Sequence, residues 1–262
     1  MALHPLAAQF ASVADAYERG RPEYPPAVAG ALAAELGLVP GAPVLDLAAG
    51  TGKLSRALLG VGLDVVAVEP QDAMRGKLTA AIGASRVREG VAEAIPVPDA
   101  SMDAVTVADA FHWFDQALAL EEMRRVLRPG GGLAVLTTVP DWSGATWAHD
   151  VGTLLMEARP EHPHFDGPPW QEAVARAGGW TAPREVRVTA AQPFDPEGIV
   201  AHVASMSFVA ALPADERAAR LAEVARLVEE GETPPELHVQ VLIGLTTLAH
   251  SPSSERSSAA AS

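Results

Sequence analysis

Between residues 43 and 139, apolar runs and helical stretches take turns along the chain. "PVLDLA" (43–48), "LDVVAVEP" (63–70), "SRVREGVA" (85–92), "MDAVTVADA" (102–110) and "LAVLTTV" (133–139) read as strands. Helices are expected between them at 52–60, 71–83 and 114–128, the last stopped by "PGGG". Alternation with a period of about 25–30 residues predicts a parallel sheet with helices on both faces. "LDVVAVEP" is apolar nearly throughout, as a strand buried on both sides should be.

The flanks read differently. Residues 6–18 and 27–38 have helical character, and the proline-rich "RGRPEYPP" (19–26) separates them. Downstream, helices are expected at 171–180, 196–206 and 214–230, a strand at 184–194 and a final long strand at 236–249. The organisation expected is a single domain over 1–250, with a core at 27–140, a cap from 1–26 and 140–235, and a last strand at 236–249. The low-complexity "SPSSERSSAAAS" (251–262) is expected to be a disordered tail.

Composition removes several function classes. Acidic residues outnumber basic ones 33 to 19, for a formal charge of −14. Nucleic acid is thereby an unfavoured partner, because polyphosphates need a positive surface. The absence of cysteine excludes disulfides, thiolate metal sites and a Cys nucleophile. No run has the roughly 18 apolar residues of a membrane helix, and the N-terminus lacks a secretory pattern, so a cytoplasmic protein is expected.

The stretch "PVLDLAAGTGKLSRAL" (43–58) is strand, small-residue loop and helix start. Gly50 and Gly52 let the backbone turn sharply and approach a ligand. Glu69 ends the next strand, where a carboxylate can accept both hydroxyls of a ribose. A P-loop is excluded, since no G-x-x-x-x-G-K-[ST] occurs. A dinucleotide fingerprint fits poorly, because Ser55 stands where its third glycine belongs. Asp46, just before the loop, would repel a pyrophosphate and welcome a cation. S-adenosylmethionine (SAM) has an ammonium and a sulfonium and no phosphate.

Four segments carry a resemblance: "VLDLAAGTG", "VVAVEP", "EGVAEAIPVPDASMDAVTVADAFHWFD" and "EEMRRVLRPGGGLAVL". In order and spacing they resemble the motifs of class I SAM-dependent methyltransferases. "Y-x-x-x-R-P-x-Y-P" (17–25) and "HWFD" (112–115) resemble a subgroup that includes trans-aconitate methyltransferase-like proteins. The resemblance implies a Rossmann-like α/β fold: a seven-stranded, mostly parallel sheet, helices on both faces, an antiparallel last strand and a helical cap.

The resemblance also implies a site. Asp46, Ala48, Gly50 and Gly52 would line the methionine part of SAM, and Glu69 would take the ribose hydroxyls. Pro70 and Met74 would contact adenine, with Ala92 and Glu93 reading its edge. Asp109 and Ala110 would hold the ammonium through backbone oxygens. Tyr17 and Arg21 would fold over the pocket, Arg21 pairing with the SAM carboxylate. Ala48 departs from the family pattern, which has glycine there.

His112 is the candidate general base, its ordinary pKa of roughly 6.5 suiting removal of a hydroxyl proton. Trp113, Trp142 and Trp147 are candidates for the acceptor pocket, with ordinary core packing as the rival reading. His149, His162 and His164 lack a partnering carboxylate cluster, so no metal is expected. The function expected is methyl transfer to a small molecule, oxygen being the favoured atom, with S-adenosylhomocysteine (SAH) as product and a place in secondary metabolism. The protein would act as a monomer or homodimer. Two rivals keep the fold: a cyclase or pericyclase that binds SAM without transferring methyl, and a non-catalytic SAM-binding protein.

Overall fold

The structure, a computed structural model, describes residues 3–141, 146–157, 159, 161–193, 195–231 and 236–249. The expected tail at 251–262 and Trp142 lie outside the described residues. The strands are β1 (Pro43–Leu47), β2 (Asp64–Val68), β3 (Val87–Arg88), β4 (Met102–Ala108), β5 (Leu127–Pro140), β6 (Arg184–Pro193) and β7 (Glu236–Thr247). The first six helices are α1 (Pro5–Ala8), α2 (Ala14–Gly20), α3 (Pro26–Glu35), α4 (Lys53–Gly60), α5 (Asp72–Ile82) and α6 (Gln116–Val126). After β5 come α7 (Thr146–Glu157), α8 (Pro163–Asp166), α9 (Trp170–Ala177), α10 (Pro196–Ala204), α11 (Ser207–Ala210) and α12 (Ala214–Glu229). Short 3-10 turns lie at Gln9–Ser12, Ala84–Arg86 and Phe111–Trp113.

The strands form one sheet in the order β3-β2-β1-β4-β5-β7-β6. Pairings from β3 through β5 are parallel, and β7 runs antiparallel to both β5 and β6. The expected fold class is therefore the observed one. Two local expectations are corrected. The strand at 85–92 shrinks to Val87–Arg88, because Val91 leaves the sheet to bridge Ala94 in a tight turn. The helix at 6–18 is broken: a 3-10 turn over Gln9–Ser12 ends at Val13, whose φ of −122° is outside the helical range.

Side-chain alternation along the strands divides the core in two. Val44, Ala104 and Ala134 pack with Val28 and Leu32 of α3 and Leu54 and Leu58 of α4. Their neighbours Leu45, Val105 and Val135 pack with Leu120 and Met123 of α6 and Val174 of α9 on the other face. A third cluster joins Trp147 and Val151 of α7, Ile199 and Val203 of α10, and Val224 and Val228 of α12. Between residues 140 and 235, β6 therefore extends the sheet edge and α9 covers it, while α7, α10, α11 and α12 build a core of their own.

Gly20 ties the N-terminal segment to that third cluster. A Cβ on Gly20 would lie 2.0 Å from the backbone nitrogen of His202, so α2 meets α10 at backbone contact. His202 Nδ1 donates to the Gly20 carbonyl at 3.1 Å. Among the described residues, no helix is long and apolar enough to cross a membrane.

Candidate active site

Strand order reverses at β1 and β4: the chain steps outward through β2 and β3, then returns to the other side of β1. A crevice must open at the carboxyl ends of the strands there, because the connections diverge. It is a cleft bounded by Leu47, Gly50, Glu69, Ala92, Asp109 and Trp113 among others.

Backbone geometry shapes its floor. Ala48 and Asp109 end adjacent strands with φ of 55° and 52°, the left-handed region that L side chains rarely adopt. Each costs about 1–2 kcal/mol relative to a relaxed backbone. The family's glycine at the Ala48 position would avoid this cost, so the departure seen in the sequence has a physical meaning. Gly50 continues the turn at φ 59°. Its amide donates to Glu69 Oε2 at 2.9 Å, and the Gln71 amide donates to Glu69 Oε1 at 2.9 Å. Burial nonetheless pushes the Glu69 carboxyl up to about 7.

Glu69, Glu93 and Asp109 give the cleft three acidic residues, and among the described residues no Lys or Arg lines it. The nearby Lys53 is turned away: its ammonium bonds the Glu18 carbonyl at 3.0 Å and pairs with Glu23. A phosphate ligand would meet only like charge here, whereas a cationic nucleoside such as SAM fits.

Tyr17, Ala48, Gly50, Glu69, Pro70, Met74, Ala92, Glu93, Asp109, Ala110 and Trp113, all expected at the site, come together on this cleft. Four others do not. Asp46 sits behind the loop, its carboxylate accepting from Ser55 Oγ at 2.5 Å and Thr106 Oγ1 at 3.2 Å. Ser55, the residue that spoiled the dinucleotide pattern, is thus the partner of Asp46. Gly52 caps α4 at φ 91°, in the left-handed region that favours glycine, and does not line the cleft. Arg21 faces a neighbouring cavity, its Nε donating to Ser205 Oγ at 2.8 Å. Trp147 is buried at 4% exposure in the third core cluster, away from either cavity.

That neighbouring cavity shares Phe10, Asp109 and Trp113 with the cleft. His112 lines it, with its ring centroid 4.9 Å from His164 and 5.8 Å from His162. Burial lowers the His112 pKa to about 3, helped by His164, His162 and His4. The ring is therefore neutral at ordinary pH, which corrects the unshifted value expected from sequence. The His162 tautomer is fixed: Nδ1 accepts from the His164 amide at 3.1 Å, so Nε2 donates to Ser207 Oγ at 3.0 Å. Asp109 is held between the two spaces, accepting from the Thr138 amide at 2.8 Å and Tyr24 OH at 3.1 Å.

The roof of the cleft lies within the expected cap segment 1–26, through residues that the sequence did not single out. Leu3, His4, Ala7 and Phe10 cover it, and Gln71 Nε2 anchors that segment by donating to the Ala7 carbonyl at 2.9 Å. Phe10 packs edge-on to Tyr17 at 5.9 Å.

Residues 45–135 match the family described as "Methyltransferase domain". An uncharacterized methyltransferase of Mycobacterium tuberculosis is 38% identical over 225 residues, covering 85% of this chain and 86% of that one. This chain belongs to the class I SAM-dependent methyltransferases.

Solved methyltransferase structures agree over nearly the whole length. A proposed type II methyltransferase from Anaeromyxobacter dehalogenans superposes with a TM-score of 0.62 at 26% identity, over 87% of this chain and 97% of that one. A proposed methyltransferase from an antibiotic biosynthesis pathway of Anabaena variabilis gives 0.58 at 25%, over 85% and 96%. The methyltransferase core is thus the strand–loop–helix layer, and the roof and third cluster are built around it.

Proposed function

We propose that this methyltransferase moves the methyl group of SAM to an oxygen of a small molecule seated in the second cavity. The observation that carries the reading is the shared wall: Phe10, Asp109 and Trp113 bound both spaces, and His112 stands on the acceptor side. Glu69, its carboxylate fixed by two amides, takes the ribose hydroxyls. Pro70 and Met74 border adenine, with Ala92 and Glu93 at its edge. The backbone oxygens of Asp109 and Ala110 take the ammonium. Asp46 acts through Ser55 by holding the loop, not by touching the ligand.

When bound, SAM would supply an activated methyl group on a positively charged sulfur, with SAH as the leaving group. His112 accepts the hydroxyl proton on an imidazole nitrogen; burial keeps that nitrogen free of a proton beforehand and also makes it a weak base, so it takes the proton only as methylation acidifies the hydroxyl. Trp113 and Phe10 hold acceptor and cofactor in register and exclude water, and orientation of this kind supplies much of the rate. A place in secondary metabolism is the reading that the Anabaena variabilis protein favours.

Calorimetry with SAM and SAH tests the cofactor half. Gly50→Arg, which drives a long side chain toward Tyr17, should abolish binding of both. Unchanged affinity in that variant would remove the cleft from the reading.

A further inference from the structure

We infer that the acceptor is an uncharged, hydroxylated hydrophobic molecule, its hydroxyl directed to His112 and His164 and its apolar body leaving across Val139, Met156 and Phe165. The inference rests on the proposed methyl transfer and specifies its substrate class.

The rim is the first observation. Six large hydrophobic side chains are exposed among the described residues, and three of them line this cavity: Val139 at 41%, Met156 at 51% and Phe165 at 47%. Exposed apolar side chains gathered around one opening mark a binding surface for apolar matter. Inside, Phe10, Trp113, Met206 and Phe208 continue the apolar wall.

Charge is the second. Among the described residues, Arg21 and Asp109 are the only ones with a formal charge that line the cavity, and their signs cancel. Both are already engaged: Arg21 by Ser205 and the Tyr17 ring at 5.4 Å, Asp109 by Thr138 and Tyr24. With opposite signs on these two residues, the lining carries no net formal charge to offset the lost hydration of an ionised acceptor.

The third is the choice of polar groups left for a ligand. His162 is committed at both nitrogens. Among the described residues, no hydrogen bond ties up the ring of His112 or His164. Burial lowers the pKa of all three histidines, so they meet the ligand as neutral rings. Neutral imidazoles offer both a donor and an acceptor, which suits a hydroxyl.

The test uses the intact protein saturated with SAH. Affinities for para-cresol, para-butylphenol and para-octylphenol are compared with that for para-hydroxybenzoate by calorimetry. Binding should tighten along the alkyl series, by about fourfold per methylene that reaches the rim, and the benzoate should bind more weakly than the cresol. Met156→Lys and Phe165→Lys should weaken octylphenol binding at least tenfold, with SAH affinity and melting temperature unchanged. Equal affinity along the series, benzoate binding as tight as cresol binding, or octylphenol affinity untouched by both lysines would each overturn the inference. Failure of SAH itself to bind would instead overturn the methyl-transfer reading beneath it.

Discussion

Gly50 and Glu69 meet across two strand ends, the Gly50 amide donating to Glu69 Oε2 at 2.9 Å. A left-handed turn thereby fixes the carboxylate that faces the cleft. Burial pulls the other way and raises its pKa to about 7. Below that value the free protein holds Glu69 protonated; above it the group is an acceptor for two hydroxyls. SAM affinity should therefore rise as pH passes upward through about 7. In Glu69→Gln the pH dependence should vanish, and affinity at about pH 8 should drop roughly tenfold or more, the usual effect of losing a charged hydrogen-bond partner. Calorimetry from about pH 6 to about pH 8 measures both, and a parallel slope in the variant would assign the titration elsewhere.

His112 should give no inflection of its own near neutrality. Its pKa is lowered to about 3, first by burial and then by His164, His162 and His4. A lowered value keeps the imidazole unprotonated throughout the range in which the protein is assayed. With SAM saturating, turnover on a neutral hydroxyl acceptor should be flat between about pH 5.5 and 8, and His112→Ala should lower it by about 10²–10⁴-fold. Full turnover in His112→Ala would end the base assignment and leave orientation alone to carry the rate.

Gly20→Ala should be costly for a one-methyl change. The new Cβ would fall 2.0 Å from the His202 nitrogen, so α2 must move off α10. Overpacking of this kind costs typically about 1–3 kcal/mol, and a melting temperature lower by about 2–4 °C per kcal/mol is expected at this chain length. A melt indistinguishable from the parent protein would mean that the joint is looser than backbone contact.

Trp147→Ala separates cap core from acceptor pocket. The side chain is buried among α7, α10 and α12, so its loss should cost about 3–5 kcal/mol of stability. SAM affinity, measured where the variant is still folded, should stay within about twofold of the parent. A stable variant with weakened acceptor binding would return Trp147 to the pocket.

How far the molecule could be read from its residues depended on locality. The glycine loop, Glu69, Ala92, Glu93 and Asp109 follow strand ends, and strand ends are visible as apolar runs closed by small or polar residues. Their convergence on one cleft follows from a parallel topology. Leu3, His4 and Phe10 had no such mark, because they reach the cleft by tertiary docking and belong to no periodic pattern. Asp46 and Gly52 stand one layer behind the cleft surface: a residue at a strand end or in the loop can face either way, and only Ser55, Thr106 and Leu78 reveal which. Trp147 was legible as an aromatic in the cap but not as core, since aromatic residues wall cavities and fill them alike.

Trp113 belongs to the wall of both cavities, and that sharing carries a thermodynamic obligation. Whatever factor SAH contributes to acceptor affinity by setting the indole in place, the acceptor must return to SAH in equal measure. Release of the two products is then one linked event: the methylated molecule, on leaving, loosens the hold on the spent nucleoside by that same factor.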